Sequence, residues 1–226
     1  ERFLVLYPEQ ERMANAQGCW NWFDTASGRA YGEVALIMKA IDQVCWLYPV
    51  DHARIAIAGL SAGASMAALV VTRHPERFKA IAMHSGIPPG TAYSRMSAFT
   101  AMHGYRKTRP LPPSTVIEPH VWPPLLVIHG SGDTVVSMDN ALAAVQVWAD
   151  AGGAGPGPGR AARRGKRYPT TVTDFKRQGM PVATLVQVDG LGHAWSGGAP
   201  KQQYSDALGP DASRLIWAFA ARQFRR

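Results

Sequence analysis

The sequence predicts an α/β protein whose mostly parallel sheet is covered by helices on both faces. Short apolar runs such as residues 125–129 have the length of buried strands, and they alternate with segments whose apolar residues recur at helical spacing. Strands of a parallel sheet are buried on both faces and are joined by helices, which produces this alternation. At 226 residues the chain is long enough for one large domain with a sizeable core.

Individual elements follow from the apolar runs, the helical spacing and the positions of proline. The strands are predicted at residues 3–7, 54–58, 79–83, 125–129, 168–175 and 182–188. The helices are predicted at residues 31–48, 62–74, 137–151 and 211–224. Two segments lack periodicity. Residues 86–123 are predicted to be a cap or insertion with one short helix near Ala98, and residues 152–167 are predicted to be a flexible loop. Since the second segment lies between a helix and a strand of the same sheet, we predict a single domain over residues 1–226.

The formal charge of +8 favours contact with anionic surfaces but does not by itself predict nucleic-acid binding. The densest basic cluster lies at residues 160–167, next to a Gly/Pro-rich stretch, with Tyr168 as its aromatic neighbour. This arrangement favours a solvated loop over a nucleic-acid site. No run of about 18 apolar residues is present, so no membrane span is predicted.

Two cysteines, Cys19 and Cys45, are too few for a disulfide framework and have no metal-binding spacing. Cys45 falls on the apolar face of a predicted helix, where a free thiol packs as a small apolar group. A disulfide bond between the two cysteines is the alternative. Because residue 1 is Glu and no signal-peptide pattern follows it, we expect the chain to be a processed or trimmed product.

The segment 55–63, IAIAGLSAG, carries the strongest chemical signal. A strand runs into a Gly-Leu-Ser-Ala-Gly turn that opens a helix, and such a turn holds its serine clear of the backbone at the reactive edge of the sheet. Gly59 and Gly63 are expected to give room for close approach of strand and helix, with Ser61 exposed as a nucleophile. The alternative is a glycine-rich connection in which Ser61 is only a helix cap.

A serine nucleophile requires a base and a carboxylate that orients the base. Asp133 and His193 follow later strands in glycine-rich loops, in the order expected for this type of turn. Asp189 is a weaker candidate because it precedes His193 by only four residues, and Asp139 lies on the next helix and should point away. The alternatives are a turn residue for Asp133 and an ordinary loop histidine for His193.

The remaining histidines are predicted to have other roles. His84 and His129 lie at the end of or within predicted strands and are expected to be packed or hydrogen-bonded in place. The others fall on surface turns or in the predicted cap: His52, His74, His103 and His120.

Several motifs extend along most of the chain. They are YPEQ at 7–10, CWNWFD at 19–24, GLSAGASMA at 59–67, HSGIPPG at 84–90, GSGDTVV at 130–136, DGLGHAWSGG at 189–198 and GPDASRLIWAF at 209–219. In these motifs the sequence resembles the poly(3-hydroxybutyrate) depolymerase family of esterases, which has the α/β-hydrolase fold. The resemblance implies a secreted or periplasmic serine esterase acting on polyhydroxyalkanoates, with feruloyl and acetylxylan esterases as alternatives in the same family.

The resemblance implies the same triad that the spacing predicts: Ser61 as nucleophile, Asp133 as orienting acid and His193 as base. The amide of Ala62, which follows the nucleophile, is expected to donate one hydrogen bond to the oxyanion. The resemblance requires no metal or organic cofactor, and the expected partner is the ester substrate, with association into a homo-oligomer left open.

Three tryptophans, Trp20, Trp22 and Trp195, are expected near the mouth of the site, where an aromatic wall suits an ester substrate. Core packing is an equally good role for Trp22. A peptidase with the same triad and a non-catalytic protein that binds a polymer or partner remain alternative functions.

The resemblance also implies an upstream strand and a His-Gly loop that supplies a second oxyanion donor. The sequence begins at Glu1, directly on the following predicted strand. We therefore expect the polypeptide as given to lack the N-terminal strands and this donor, and removal of one donor typically costs about 100- to 1,000-fold in rate. An uncovered sheet edge would also favour association.

Overall fold

A seven-stranded sheet lies at the centre of the computed structural model, which describes residues 3–108, 122–163 and 165–225. In chain order, the strands of these ranges are β1 (Ala56–Leu60), β2 (Ala80–His84), β3 (Leu125–Gly130), β4 (Gly155–Pro156), β5 (Arg160–Ala162), β6 (Thr170–Arg177), β7 (Met180–Val188), β8 (Trp195–Ser196) and β9 (Ser205–Asp206). The α-helices are α1 (Arg29–Leu47), α2 (Ala62–Arg73), α3 (Arg95–Met102), α4 (Met138–Gly152) and α5 (Ala212–Gln223).

The strand order in the large sheet is β1-β2-β3-β7-β6-β4, and β5 also pairs with β6. β1, β2, β3 and β7 are mutually parallel, whereas β6 runs antiparallel to β7, and β4 and β5 run antiparallel to β6. The strands β8 and β9 form a separate parallel pair. The prediction of an α/β fold with a mostly parallel sheet is confirmed.

Helices cover both faces of this sheet. Buried side chains of α1, α2 and α4 join one apolar cluster with one face of the strands, and α5 packs on the opposite face through a second cluster. In the second cluster, Phe219 of α5 lies with Ala82 of β2 and Leu126 of β3. Each face of the central strands is therefore buried, as the continuous apolar runs of these strands require.

Parallel pairing brings the carboxyl ends of four strands to one edge of the sheet. Leu60 of β1 pairs with His84 of β2, and Gly130 of β3 pairs with Val188 of β7. The segments that leave these ends contain the predicted serine, acid and histidine, so the sheet places all three at the same edge.

Residues 3–7, predicted as a buried strand, form no strand, so that prediction was wrong. Phe3, Leu4 and Val5 are exposed, and the segment pairs with no strand within the described ranges. The Phe3 ring instead stacks on Trp217 of α5, with 4.5 Å between ring centroids. An apolar run becomes a strand only where a neighbouring strand takes up its backbone N–H and C=O groups.

Residues 152–167, predicted as a flexible loop, contain the short strands β4 and β5, so the structure differs from the prediction there. Both strands pair with β6 at the margin of the sheet. Glycine and proline are tolerated in such positions because a marginal strand leaves one row of its N–H groups without a ladder partner.

The segment 86–123, predicted as a cap or insertion, contains α3, which matches the short helix expected near Ala98. Ser94 caps this helix in a reciprocal arrangement with Ser97. Ile87 is buried in the main core, so the start of the segment packs into the domain. Residues 109–121 lie outside the described ranges, and a capping role for the segment stays a prediction.

Both cysteines, Cys19 and Cys45, are free thiols in the structure. Among the described helices, none combines the length and the apolar character needed to cross a membrane.

Candidate active site

Ser61 occupies a strained turn between β1 and α2. The strand predicted at residues 54–58 ends later than expected, at Leu60, so it runs directly into the serine. Ser61 has φ 55° and ψ −121°, a region that residues other than glycine rarely adopt. Its amide donates to the carbonyl oxygen of His84 on the adjacent strand, at 2.8 Å. Strained backbone of this kind is concentrated at functional sites, where neighbouring contacts enforce it.

The two glycines of the turn have different roles. A Cβ on Gly59 would overlap the backbone carbonyl of Gly63, so only glycine fits at position 59. A Cβ on Gly63 would have no atom within 4 Å. The prediction that both glycines give room is therefore correct for Gly59, whereas Gly63 contributes the backbone that approaches it.

Asp133 is held in the loop after β3 by three hydrogen bonds. Its Oδ1 accepts from the amides of Val135 and Val136 at 2.9 and 2.8 Å, and its Oδ2 accepts from Nδ1 of His193 at 2.8 Å. The side chain is 0% exposed. Burial acts to raise the pKa of the Asp133 carboxyl, but the His193 hydrogen bond and the two amides outweigh it and lower the pKa below its usual value.

The contact with Asp133 fixes the tautomer of His193. Because a carboxylate can only accept, Nδ1 of His193 carries the proton and Nε2 is left to accept one. The His193 side chain is 10% exposed, and its ring lies edge-on to Tyr204, with 6.5 Å between centroids. Within the described part of the chain, the Ser61 hydroxyl makes no hydrogen bond to His193, and such catalytic contacts often shorten only when substrate is bound.

The loops that carry Asp133 and His193 are joined to each other by backbone contacts. The amide of Ser131 donates to Val188 and the amide of Gly132 donates to Leu191, at 2.9 and 3.1 Å. A Cβ on Gly130 would overlap the carbonyl oxygen of Leu191. The glycine at the end of β3 therefore lets the loop after β7 cross over the sheet toward β2 and β1, where Ser61 lies.

A comparison with protein families identifies the family of the chain. The family model described as Esterase PHB depolymerase matches residues 1–170. The chain belongs to this family. Poly(3-hydroxyalkanoate) depolymerase C of Paucimonas lemoignei is 28% identical over 209 residues, which cover 85% of this chain and 48% of that protein. Acetylxylan esterase A of Talaromyces purpureogenus is 24% identical over 164 residues, 65% of this chain and 41% of that protein.

The matched part of the chain corresponds to about half of the first relative's length and to less than half of the second's. The fold of the chain is like that of the solved acetyl xylan esterase from Aspergillus awamori, with a TM-score of 0.57 and 21% sequence identity. That match covers 78% of this chain and 68% of the other. The α/β-hydrolase fold that the resemblance implied is confirmed.

The competing acids lie elsewhere in this esterase-family chain. Asp189 is exposed and accepts a hydrogen bond from the Ser131 hydroxyl at 3.1 Å. Asp139 lies in the first turn of α4 and accepts from the Ser137 hydroxyl at 3.2 Å. The described residues contain no group of three or more His, Cys, Asp or Glu side chains arranged for a metal ion.

Ala62 is the first residue of α2, so its amide belongs to the helix N-terminus beside Ser61. No hydrogen bond from this amide to another described residue is present. The N–H is available to an anion at the place where the oxyanion donor was predicted.

The three predicted tryptophans lie in different environments. Trp195 lines a cavity together with Leu60, the residue before Ser61, and its indole N–H donates to the Ser213 hydroxyl at 3.3 Å. Trp22 is buried in the core, edge-on to Phe23, which is the packing role left open for it. Trp20 is half-buried and lines a separate cavity next to α1.

The cavity lined by Trp195 has a volume of about 270 Å³, and it reaches the site through Leu60, which precedes Ser61, and Tyr204, which lies edge-on to His193. Its lining combines apolar and polar side chains, among them Leu60, Trp195, Gln202, Gln203 and Tyr204. The last three were not predicted, because residues 199–205 contain no catalytic motif and their polar composition resembles that of any surface loop. The only signal for them is their position shortly after His193.

Proposed function

We propose that this chain is a serine esterase that hydrolyses carboxylic esters, with Ser61 as nucleophile, His193 as base and Asp133 as orienting acid. The observation that carries the proposal is the 2.8 Å hydrogen bond from His193 Nδ1 to the fully buried Asp133 carboxylate. It lies at the same edge of the sheet as the strained Ser61 turn. Membership of the PHB depolymerase family supports the same chemistry.

In this mechanism Nε2 of His193 takes the hydroxyl proton of Ser61 as Oγ attacks the ester carbonyl carbon. The amide of Ala62 donates to the carbonyl oxygen as it becomes an oxyanion. Collapse of the tetrahedral intermediate breaks the C–O bond of the ester, and the alcohol leaves with the proton from His193. Water then attacks the acyl-enzyme, with His193 again accepting and returning the proton, and the carboxylic acid is released.

Asp133 contributes to this cycle through its charge. Its lowered pKa keeps the carboxylate ionised at neutral and mildly acidic pH. The negative charge holds the Nδ1–H tautomer of His193 and stabilises the imidazolium that forms during each proton transfer.

We propose a polyhydroxyalkanoate as the ester substrate. Support comes from the relative of this chain that is named a poly(3-hydroxyalkanoate) depolymerase. The cavity beside His193 offers apolar surface at Leu60 and Trp195 and amide donors at Gln202 and Gln203, which suit a short acyl chain that carries further oxygen atoms. An acetylated or feruloylated polysaccharide is the second candidate, since other relatives are named acetylxylan esterase A and feruloyl esterase B. A polymeric substrate of this kind fits a secreted or periplasmic location.

The nucleophile is tested by Ser61→Ala. We expect this variant to lose hydrolysis of p-nitrophenyl butyrate by about 10⁴-fold or more, because a triad without its nucleophile retains little catalysis. Ser27→Ala is the matched control, since Ser27 is an exposed serine ahead of α1. Retention of more than about a tenth of the activity by Ser61→Ala would overturn the proposal.

The substrate class is tested with a panel of a 3-hydroxybutyrate oligomer, acetylated xylan, a feruloyl sugar ester and a small peptide amide. We expect the oligomer to be cleaved with the highest kcat/KM. Faster cleavage of either polysaccharide ester would establish the second candidate. Faster cleavage of the peptide amide would mean a peptidase, and retention of the polymer without any product would mean a binding protein.

A further inference from the structure

His84 links the serine turn to the segment that follows His193. It is the last residue of β2, and its side chain is fully buried. Its backbone carbonyl oxygen accepts the Ser61 amide at 2.8 Å. Its ring nitrogen Nε2 accepts the Ser196 amide at 3.1 Å. One residue therefore touches the nucleophile on one side and the loop that carries the base on the other.

The Ser196 contact defines the protonation of the His84 ring. Because an amide N–H can only donate, Nε2 of His84 is unprotonated, and the ring proton lies on Nδ1, 3.2 Å from the Ser85 hydroxyl oxygen. A doubly protonated imidazolium would present an N–H to the Ser196 amide and could not accept from it. The contact thus requires a neutral ring with one defined tautomer.

The surroundings of His84 favour this neutral form. Burial, followed by the proximity of His129 and His193, lowers the pKa of His84 to about 3, against a smaller opposite effect of Asp133. These are the titratable groups that face the ring from β3 and from the loops after β3 and β7.

A second contact holds the same segment. The His84 ring stacks on Trp195, with 5.4 Å between centroids and 25° between the planes. Trp195 and Ser196 follow His193 by two and three residues, so both contacts act just beyond the base. The other buried strand histidine, His129, donates through Nε2 to Val136 in the Asp133 loop at 2.9 Å.

We propose that His84 is a positioning residue for ester hydrolysis. It holds the Ser61 turn through its carbonyl oxygen and the segment after His193 through its unprotonated Nε2. The Ser61 hydroxyl and the His193 imidazole are thus positioned by contacts with the same residue. His84 does not touch the reacting atoms in this role. This role rests on the proposed triad, and it gives a function to a residue that the sequence predicted to be packed or hydrogen-bonded in place.

The test compares His84→Phe with His84→Gln. Phenylalanine keeps a planar ring against Trp195 but offers no acceptor to the buried Ser196 amide, whereas glutamine can place an amide oxygen near the position of Nε2. With p-nitrophenyl butyrate, we expect His84→Phe to lower kcat by about tenfold or more with KM changed by less than about threefold. We expect His84→Gln to retain kcat within about threefold of the parent chain.

The outcomes separate this inference from the proposed function. An unchanged kcat in folded His84→Phe, beside an inactive Ser61→Ala, would overturn the role of His84 alone. Equal losses of kcat in both His84 variants would also overturn it, because the acceptor would then not be the feature that matters. Full activity of Ser61→Ala would overturn the triad and this inference with it.

A measurement on the unmodified chain keeps the inference testable if His84→Phe fails to fold. Nitrogen-15 NMR of the imidazole ring distinguishes the two neutral tautomers and the imidazolium. We expect His84 to remain in the Nδ1–H tautomer from pH 5 to pH 8. A ring with its proton on Nε2, or one that becomes doubly protonated within this range, would overturn the inference.

Discussion

At the scale of single residues, the site depends on groups that have one hydrogen-bonding role each. The Asp133 carboxylate only accepts, so it dictates where the His193 proton lies. The amides of Val135 and Val136 fix the carboxylate in turn. The imidazole therefore keeps Nε2 unprotonated without first changing tautomer, which is part of the preorganisation that proton transfer requires.

Asp133→Asn removes the charge while it keeps the shape of the side chain. The asparagine amide can donate to Nδ1 of His193 and so favour the wrong tautomer, and in the serine protease example of this change kcat falls about 10⁴-fold. We expect a loss of about 10³- to 10⁴-fold in the kcat for p-nitrophenyl butyrate. Asp189→Asn is the control and should stay within about twofold. Similar losses in the two variants would mean that Asp133 is not the orienting acid.

The buried His84 also predicts how stability depends on pH. Its folded pKa of about 3 lies below the ordinary value of 6.5, so between these values the unfolded chain binds a proton that the folded chain does not. The free energy of unfolding therefore falls as pH falls through this window, by about 1.4 kcal/mol per pH unit for this group. His129, whose pKa is also lowered, chiefly by burial, adds in the same direction.

Urea unfolding at pH 7, 6 and 5 measures this effect. As pH falls, we expect the free energy of unfolding to decrease more steeply for the parent chain than for His84→Gln. The difference between the two slopes corresponds to at most about one bound proton. Identical slopes in the two proteins would show that the ring of residue 84 titrates normally in the folded state.

The triad could be predicted from the sequence because a nucleophile, an acid and a base must follow strands in a fixed chain order. Ser61, Asp133 and His193 meet this requirement best. The sequence did not predict the role of His84, because that role depends on which loop crosses the end of β2. The Ser196 amide lies 112 residues away along the chain, and no local pattern relates the two positions.

At the scale of elements, the close approach of β1 and α2 decides whether the serine turn can form. The Cα of Gly59 faces the backbone of Gly63, and no side chain fits between them. The helix begins at Ala62, directly after the strained Ser61. The turn is therefore set by the packing of backbone on backbone, with glycine required on the strand side.

Gly59→Ala and Gly63→Ala form a matched pair for this point. We expect Gly59→Ala to lower the free energy of unfolding by about 2 kcal/mol or more, since the added methyl must displace backbone. We expect Gly63→Ala to be neutral or to add up to about 1 kcal/mol, because position 63 is helical and has open space. Chemical denaturation of both variants measures the difference, and equal effects would contradict this account of the turn.

The elements that were predicted best are those whose burial is complete. β2 and β3 are buried along their whole length, so their apolar runs carry an unambiguous signal. Residues 3–7 have a similar apolar run, yet they form no strand and only Phe3 stacks on Trp217 of α5. Strand pairing depends on a neighbouring strand that the local sequence does not specify. β4 and β5 were not predicted, because two or three residues without an apolar run can pair at a sheet margin through their backbone groups.

At the scale of the whole molecule, the net positive charge acts on charged molecules in solution. The formal charge of +8 produces an attractive field for anionic molecules, and this field is screened by salt. A neutral ester experiences no net force from it. The charge therefore affects how fast an anionic substrate reaches the site, without changing the chemistry at Ser61.

A matched pair of p-nitrophenyl esters, one with a terminal carboxylate and one neutral, tests this effect. We expect kcat/KM for the anionic ester to fall severalfold between about 10 mM and 300 mM NaCl, while that of the neutral ester changes by less than about 1.5-fold. A salt dependence that is the same for both esters would show that the net charge does not steer substrate.

Covalent labelling of the folded chain with a fluorophosphonate is the decisive test of Ser61 as an activated nucleophile. We expect one adduct, located by mass spectrometry on the Ser61 hydroxyl, and no labelling of Ser61→Ala under the same conditions. An adduct on another residue, or no adduct on a chain shown to be folded, would contradict this role of Ser61.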